Sequence, residues 1–162
     1  MKEIKIEELL NYIHPLKGEN SNISIALASS SKGSNGLTLG WSEYGILWGK
    51  PMATIYIHKD RYSKVIFDEA EYCSICYTDN TEMIKYFGSV SGKDEDKVGK
   101  YKDYIETDKA PYLTNSKVVI IGKIVGRCDF NVNDVAERVQ GWYKERGVHT
   151  LYHIDIEKVL IK

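Results

Sequence analysis

The stretch DRYSKVIF, residues 60 to 67, sets a hydroxyl, Ser63, between two cations, Arg61 and Lys64, just where an apolar helical pattern begins. A guanidinium, a hydroxyl and an ammonium beside the N–H groups of a first helical turn are chemistry for gripping a phosphate. On this stretch alone, a solvated first turn is the plainer reading. Two further segments hold groups of a similar kind. SVSGKDEDKVGKY contains Ser89, Ser91, Gly92, Lys93, Asp94 and Lys97, a mixed charge run that by itself reads as a surface loop. VHTLYHI places His149 and Tyr152 ahead of the last strand, and a single histidine more commonly serves structure than chemistry.

Other arrangements point away from common chemistries. Cys73 and Cys76 spell C-x-x-C, but they fall in a β-rich run, where side chains three apart leave opposite faces of a strand. They are read as structural, sharing neither a metal nor a disulfide. His149 and His153 stand four apart, but in a stretch that runs into a strand and with no matching cysteine pair, so no built-in metal site is expected. The glycine-rich loops of dinucleotide and P-loop folds are absent.

The elements that must position these groups are read from periodicity. KIEELLNYIHP has Ile6, Leu9, Leu10 and Ile13 at helical spacing, stopped by Pro15. ISIALASSS, SKGSNG and LTLGWSEYGILWG read as strand, turn and strand. MATIYIHK alternates Ile55 and Ile57 with Thr54, Tyr56 and His58, a half-buried strand. DRYSKVIFDEAE then predicts a helix with Val65, Ile66 and Ala70 behind an Asp60 cap. YCSICYT is a short strand and NTEMIKYFGSVSG a helix stopped by glycine. KVVIIGKIVGRCDF is the longest β-like run, with Gly122 and Gly126 marking bulges or bends. NVNDVAERVQGWYKERG predicts a helix through Val135, Val139 and Trp142, and YHIDIEKVLI a final strand. The order is mainly β with inserted helices, without the strict alternation of a doubly wound sheet.

The length of 162 residues suits one domain over 1–162. Lys plus Arg (22) nearly balances Asp plus Glu (23), so the overall charge calls for neither nucleic acid nor an anionic membrane. No apolar run approaches the ~20 residues of a membrane helix, and the charged start MKEIKIEELL lacks a secretion signal. With three cysteines that cannot all pair, a reducing, cytoplasmic setting is expected. The twelve tyrosines are spread through the chain and read as packing.

The segment NGLTLGWSEYGILWGKP, residues 35 to 51, remains unexplained by any of this, with four glycines and two tryptophans in seventeen positions. Taken in order with RYSK, SGKDEDK and HTLY, it resembles the flavin reductase-like family, the FMN-binding split barrels related to flavoredoxin. The matched segments span about residues 20 to 160. The resemblance implies a six-stranded antiparallel split β-barrel with peripheral helices, a homodimer, and non-covalent FMN at or near the subunit interface. It places Asn35, Leu37, Thr38, Gly40 and Trp41 beside the flavin ring, where close backbone and an aromatic wall suit a flat plate with one polar edge. It gives the phosphate to Arg61, Ser63 and Lys64, with Tyr62 packing nearby, and lets Ser91 and Gly92 shape a loop. Lys97 would reach the N1 and C2-carbonyl edge, where a cation favours charge on reduced flavin. His149 would help place a nicotinamide or another donor, and Trp48 is assigned to barrel or dimer packing.

Two departures from the family pattern are Ser63 in place of threonine and Lys93 in place of arginine. No residue selects NADH over NADPH. The implied function is an FMN-dependent oxidoreductase passing electrons from NAD(P)H or a redox protein to an acceptor. The alternative is a non-catalytic flavin carrier or sensor, or a barrel holding another ligand such as haem.

Overall fold

The computed structural model describes residues 1–17, 22–145 and 147–162. In chain order the strands and α-helices are β1 (Lys2–Ile4), β2 (Ser24–Ser30), β3 (Gly33–Leu39), β4 (Ser42–Leu47), β5 (Lys50–His58), α1 (Lys64–Phe67), β6 (Tyr72–Tyr77), α2 (Thr81–Ser89) and α3 (Lys97–Lys100). They continue with β7 (Ile105–Thr107), β8 (Pro111–Leu113), β9 (Val118–Asp129), α4 (Glu137–Gln140) and β10 (His149–Ile161). One antiparallel sheet runs β3-β2-β6-β9-β10-β5-β4, with β1 added alongside β10. It has eight strands, two more than the six the resemblance implied, while β7 and β8 form a separate hairpin.

The topology itself demands a barrel. β3 and β4 are opposite edges of the long sheet, yet only Gly40 and Trp41 separate them in the chain. A link that short reaches on the order of 10 Å, so the sheet must curl until its edges meet. No ladder joins β3 to β4, and the barrel is therefore split at that seam. The segment 35 to 51 is thus two strand edges and two turns. At the second turn Trp48 adopts φ 53° ahead of Gly49 at φ 73°, the left-handed pair of a tight hairpin. Trp48 is 67% exposed and lies outside the barrel.

Curling is assisted at the expected glycines. The register between β9 and β10 shifts next to Gly126 and again next to Gly122. A Cβ on Gly122 would stand 2.5 Å from the carbonyl oxygen of Asp155, so the two strands cross here with no room for a side chain.

Ala26, Ala28, Leu37, Ile55, Ile57, Cys73, Ile75, Ile120, Tyr152 and Ile154 fill the barrel. A second cluster lies on the outer face of β2, β6 and β9, where Ile25, Leu27, Cys76, Val119 and Ile121 meet Met83 and Phe87 of α2 and Tyr112 and Leu113 of β8. Cys73 and Cys76 therefore point into different cores, as their spacing within β6 requires, and burial pushes both thiols up from the ordinary range.

Several helices are shorter than their patterns predict. Residues Ile6–Asn11 form a 3-10 helix. α1 is a single turn beginning after Ser63, whose side chain makes no capping bond, and Asp60 stays in the preceding turn. Near the C-terminus, Asn131 accepts the N–H of Asn133 in an Asx turn and Val135 is extended, which confines α4 to Glu137–Gln140 and leaves Trp142 68% exposed.

Candidate functional site

Three adjoining clefts lie along the seam. The first, about 420 Å³, is lined by Leu37 and Thr38 of β3, by Gly40 and Trp41 of the β3–β4 link, by Tyr56 and His58 of β5 with Asp60 and Arg61 just after it, and by Trp142, Tyr143 and His149. The second is small, about 100 Å³, and brings Arg61, Tyr62 and Ser63 against Ser89, Ser91, Gly92 and Lys97. The third, about 340 Å³, runs from Lys32, Ser34 and Asn35 to Lys93, Asp94 and Lys97. Leu37, Asp60 and Arg61 belong to both the first and second clefts, while Tyr62, Gly92 and Lys97 belong to both the second and third.

The first cleft is aromatic because two strand faces converge on it. Antiparallel register sets His149 of β10 opposite His58 of β5. Their rings meet edge to face at 4.9 Å between centroids, Trp41 lies 4.7 Å from His149, and Trp142 closes on Trp41 at 6.0 Å. Burial, then the neighbouring His58 and Arg61, pushes His149 down to about 4. The imidazole is therefore neutral at physiological pH, and its buried Nδ1 has no partner among the described residues.

The second cleft is cationic. Lys97 is 3% exposed and donates to the Phe87 carbonyl at 3.3 Å, while Arg61 donates to the Gly88 carbonyl at 2.7 Å. Both cations thus cap the C-terminal carbonyls of α2, where the helix dipole favours positive charge. Each bond uses one donor, out of three on an ammonium and five on a guanidinium. No carboxylate among the described residues pairs with Lys97 or Arg61. Burial and the charge of Arg61 lower Lys97 to about 8. Two adjacent unneutralised cations, one of them buried, form a site built for an anion.

The expected site residues divide among the clefts. Leu37, Thr38, Gly40 and Trp41 meet His149 in the first, whereas Asn35 lies in the third, apart from them. Arg61, Tyr62, Ser63, Ser91, Gly92 and Lys97 converge on the second. The Ser63 hydroxyl is already committed, donating to the Gly36 carbonyl at 3.0 Å. The Thr38 hydroxyl likewise donates to the Ile84 carbonyl. Lys64 lines none of the three clefts, and its ammonium is held 2.8 Å from Asp68, one helical turn on. Tyr152 is a core residue whose hydroxyl donates to Asp68 at 2.6 Å.

Tyr56, His58, Trp142 and Tyr143 were not foreseen as site residues. The alternation in MATIYIHK already separated Tyr56 and His58 from the barrel-facing isoleucines, and that face carried the signal.

Fold and clefts together define a split β-barrel with an aromatic and cationic seam. No family model and no curated protein matches the sequence. Among solved structures, flavoredoxin from Methanosarcina acetivorans is similar at TM-score 0.67 and 17% identity, over 86% of this chain and 68% of that one. An FMN-binding protein from Thermus thermophilus, solved with p-hydroxybenzaldehyde, gives TM-score 0.69 and 15% identity over 100% of this chain and 82% of its own. The flavin reductase HpaC, solved with NADP+, gives 0.66 and 16% over 86% and 77%. At these identities the likeness establishes the fold, which is that of the flavin reductase-like split barrels.

Proposed function

We infer that the protein is a flavin-dependent oxidoreductase holding FMN along the seam, with its ring in the aromatic cleft and its phosphate in the cationic one. The observation that carries this reading is Lys97, a buried ammonium with no carboxylate partner among the described residues, set beside Arg61 where the two clefts join. The donor set fits the group. A phosphate supplies the missing negative charge, and a flat ring suits Trp41, Leu37 and the His149 edge.

A bound flavin supplies reversible electron and hydride transfer. The chain's own part is to bind and to shield. Arg61 and Lys97 would hold the phosphate: Lys97 lines the second cleft and not the first, so it takes the place expected of Lys64 instead of the N1 and C2-carbonyl edge of the ring. Trp41 and Trp142 would flank the ring, and the neutral His149 would face a donor such as NAD(P)H without adding charge. Electrons would enter from NAD(P)H or a redox protein. The free thiols Cys73, Cys76 and Cys128 suit a cytoplasmic setting, and a homodimer is proposed through the end of β4 and its turn, where Ile46, Leu47 and Trp48 are exposed.

The test is a visible spectrum of purified protein, an FMN titration, and anaerobic addition of NADH or NADPH. The expected results are FMN binding and bleaching of the flavin band. The substitution Lys97→Met is expected to weaken FMN binding by tenfold or more, on the order of 1.5–3 kcal/mol for a charge-assisted bond. Protein that ignores FMN overturns the reading. Binding without bleaching by any donor makes the protein a flavin carrier or sensor.

A further inference from the structure

A thiol and an imidazole that line none of the three clefts meet on the outer face of β5, β10 and β9. Antiparallel register sets Thr54 of β5 opposite His153 of β10 and His153 opposite Gly126 of β9, while Cys128 stands opposite Leu151. Cys128 and His153 are therefore diagonal neighbours on one face of the sheet, close enough for their side chains to meet. The His153 Nε2 lies 3.9 Å from the Cys128 Sγ, and its Nδ1 lies 3.1 Å from the Thr54 Oγ1. With the ring proton on Nδ1, His153 donates to the Thr54 hydroxyl and turns an unprotonated Nε2 toward the thiol.

The imidazole is held in that orientation by its surroundings. Gly126 leaves it room, since a Cβ there would stand 3.1 Å from the His153 Cδ2. Trp48 closes on it edge to face, with ring centroids 5.6 Å apart. Cys128 is exposed, whereas Cys73 and Cys76 are buried in the two cores. Among the described residues no third histidine, cysteine or carboxylate completes a metal centre with the pair. A thiol against a base whose other nitrogen is fixed by a third group is the arrangement that activates a nucleophile. Acyl transfer would also need donors placed for a developing oxyanion. Exchange with a disulfide needs only a thiolate and access, because the departing sulfur carries its own charge.

We propose that Cys128 is a thiol–disulfide exchange site for low-molecular-weight disulfides, with His153 as its base and Thr54 as the residue that positions the base. The His153 Nε2 takes the Cys128 proton, and the thiolate attacks one sulfur of the disulfide. A new S–S bond forms as the old one breaks, and the second sulfur leaves as a thiolate that receives the proton from His153. Cys128 is thereby oxidised to a mixed disulfide while the departing half is reduced to a thiol.

The test is incubation of the folded protein with glutathione disulfide at neutral pH, with the adduct located and timed by mass spectrometry. One adduct per chain is expected, at Cys128, forming about tenfold or more faster than at the same cysteine in the urea-unfolded chain. Cys128→Ser should remove it, and His153→Gln should slow it by about tenfold or more. Thr54→Val should slow it by about threefold or more, and Thr54→Ser, which keeps the hydroxyl, should restore the rate. No adduct on the folded protein, a rate no faster than in the unfolded chain, or an unchanged rate in His153→Gln overturns the proposal. If His153→Gln does not fold, equal rates for Thr54→Val and Thr54→Ser overturn it.

Discussion

The two halves of the sheet are finished differently. β2, β6 and β9 are covered on both faces, by the barrel core on one side and by α2 and the β7–β8 hairpin on the other. β4, β5 and β10 have the barrel core on one face and a partly filled cleft on the other, where Tyr56, His58 and His149 lie against Trp41, Trp142 and Tyr143 and His153 meets Trp48 at the hairpin tip. The covered half spends its side chains on stability, and the open half has side chains free for ligands and partners. The seam lies where the two halves meet, which is why a helix terminus of the covered half supplies the carbonyls that hold the cations. The strained, exposed Trp48 fits the same division, since left-handed backbone at a bulky residue persists where surroundings or function require it.

Substitution sharpens the contrast. Phe87→Ala on the covered side removes a fully buried ring packed against Tyr101, and should cost about 3–5 kcal/mol in denaturant unfolding. A loss below about 1 kcal/mol would mean that α2 is not part of the core. Next in size is Gly36→Ala. Its Cβ would meet the Ala26 carbonyl oxygen at 2.9 Å and the Phe87 ring at 3.0 Å, for a cost of about 1–3 kcal/mol.

The seam should respond to pH through Lys97. Its value of about 8, below the ordinary lysine value, means that it is charged at neutral pH and loses its proton as pH rises through that value. An anion then has to be bound by a neutral amine or with uptake of a proton. FMN affinity should fall as pH rises from 7 to 9.5, by at most about tenfold per pH unit, and Lys97→Met should remove the dependence. For folding the sign is opposite. Because the folded value is depressed, the unfolded chain holds this proton more tightly, and the lysine's contribution to stability grows as pH rises from about 8 toward its unfolded value near 10.5.

The smallest expected effect is Gly45→Ala in β4. No atom lies within 4 Å of the added methyl, and a change within about 0.5 kcal/mol is expected. Equal costs for Gly36→Ala and Gly45→Ala would remove the distinction between the two halves.

Much of this was legible in the chain. The alternation in MATIYIHK separated the barrel face from the site face, the spacing of Cys73 and Cys76 sent them to opposite sides of β6, and Gly122 and Gly126 marked the two register shifts. RYSK and SGKDEDK, which supply much of the second cleft, also stand out in the chain by their cations and hydroxyls. Less legible were the helices, because the Asx turn at Asn131 and the Ser63 bond to Gly36 end or delay a helical pattern without disturbing its apolar spacing.

Sequence by itself determined what is periodic and local: the strands and their faces, the bulge positions, and the residue types able to hold an anion and a flat ring. Only the tertiary structure decided which of those groups meet. Lys64 and Lys97 are both lysines beside short helices, yet one is neutralised by Asp68 a turn away and the other is buried at the end of α2 beside Arg61. That difference comes from packing that brings Lys97 against Phe87, ten residues away, and beside Arg61, thirty-six residues away, because the desolvation and charge that set a cation's partner depend on everything folded around it.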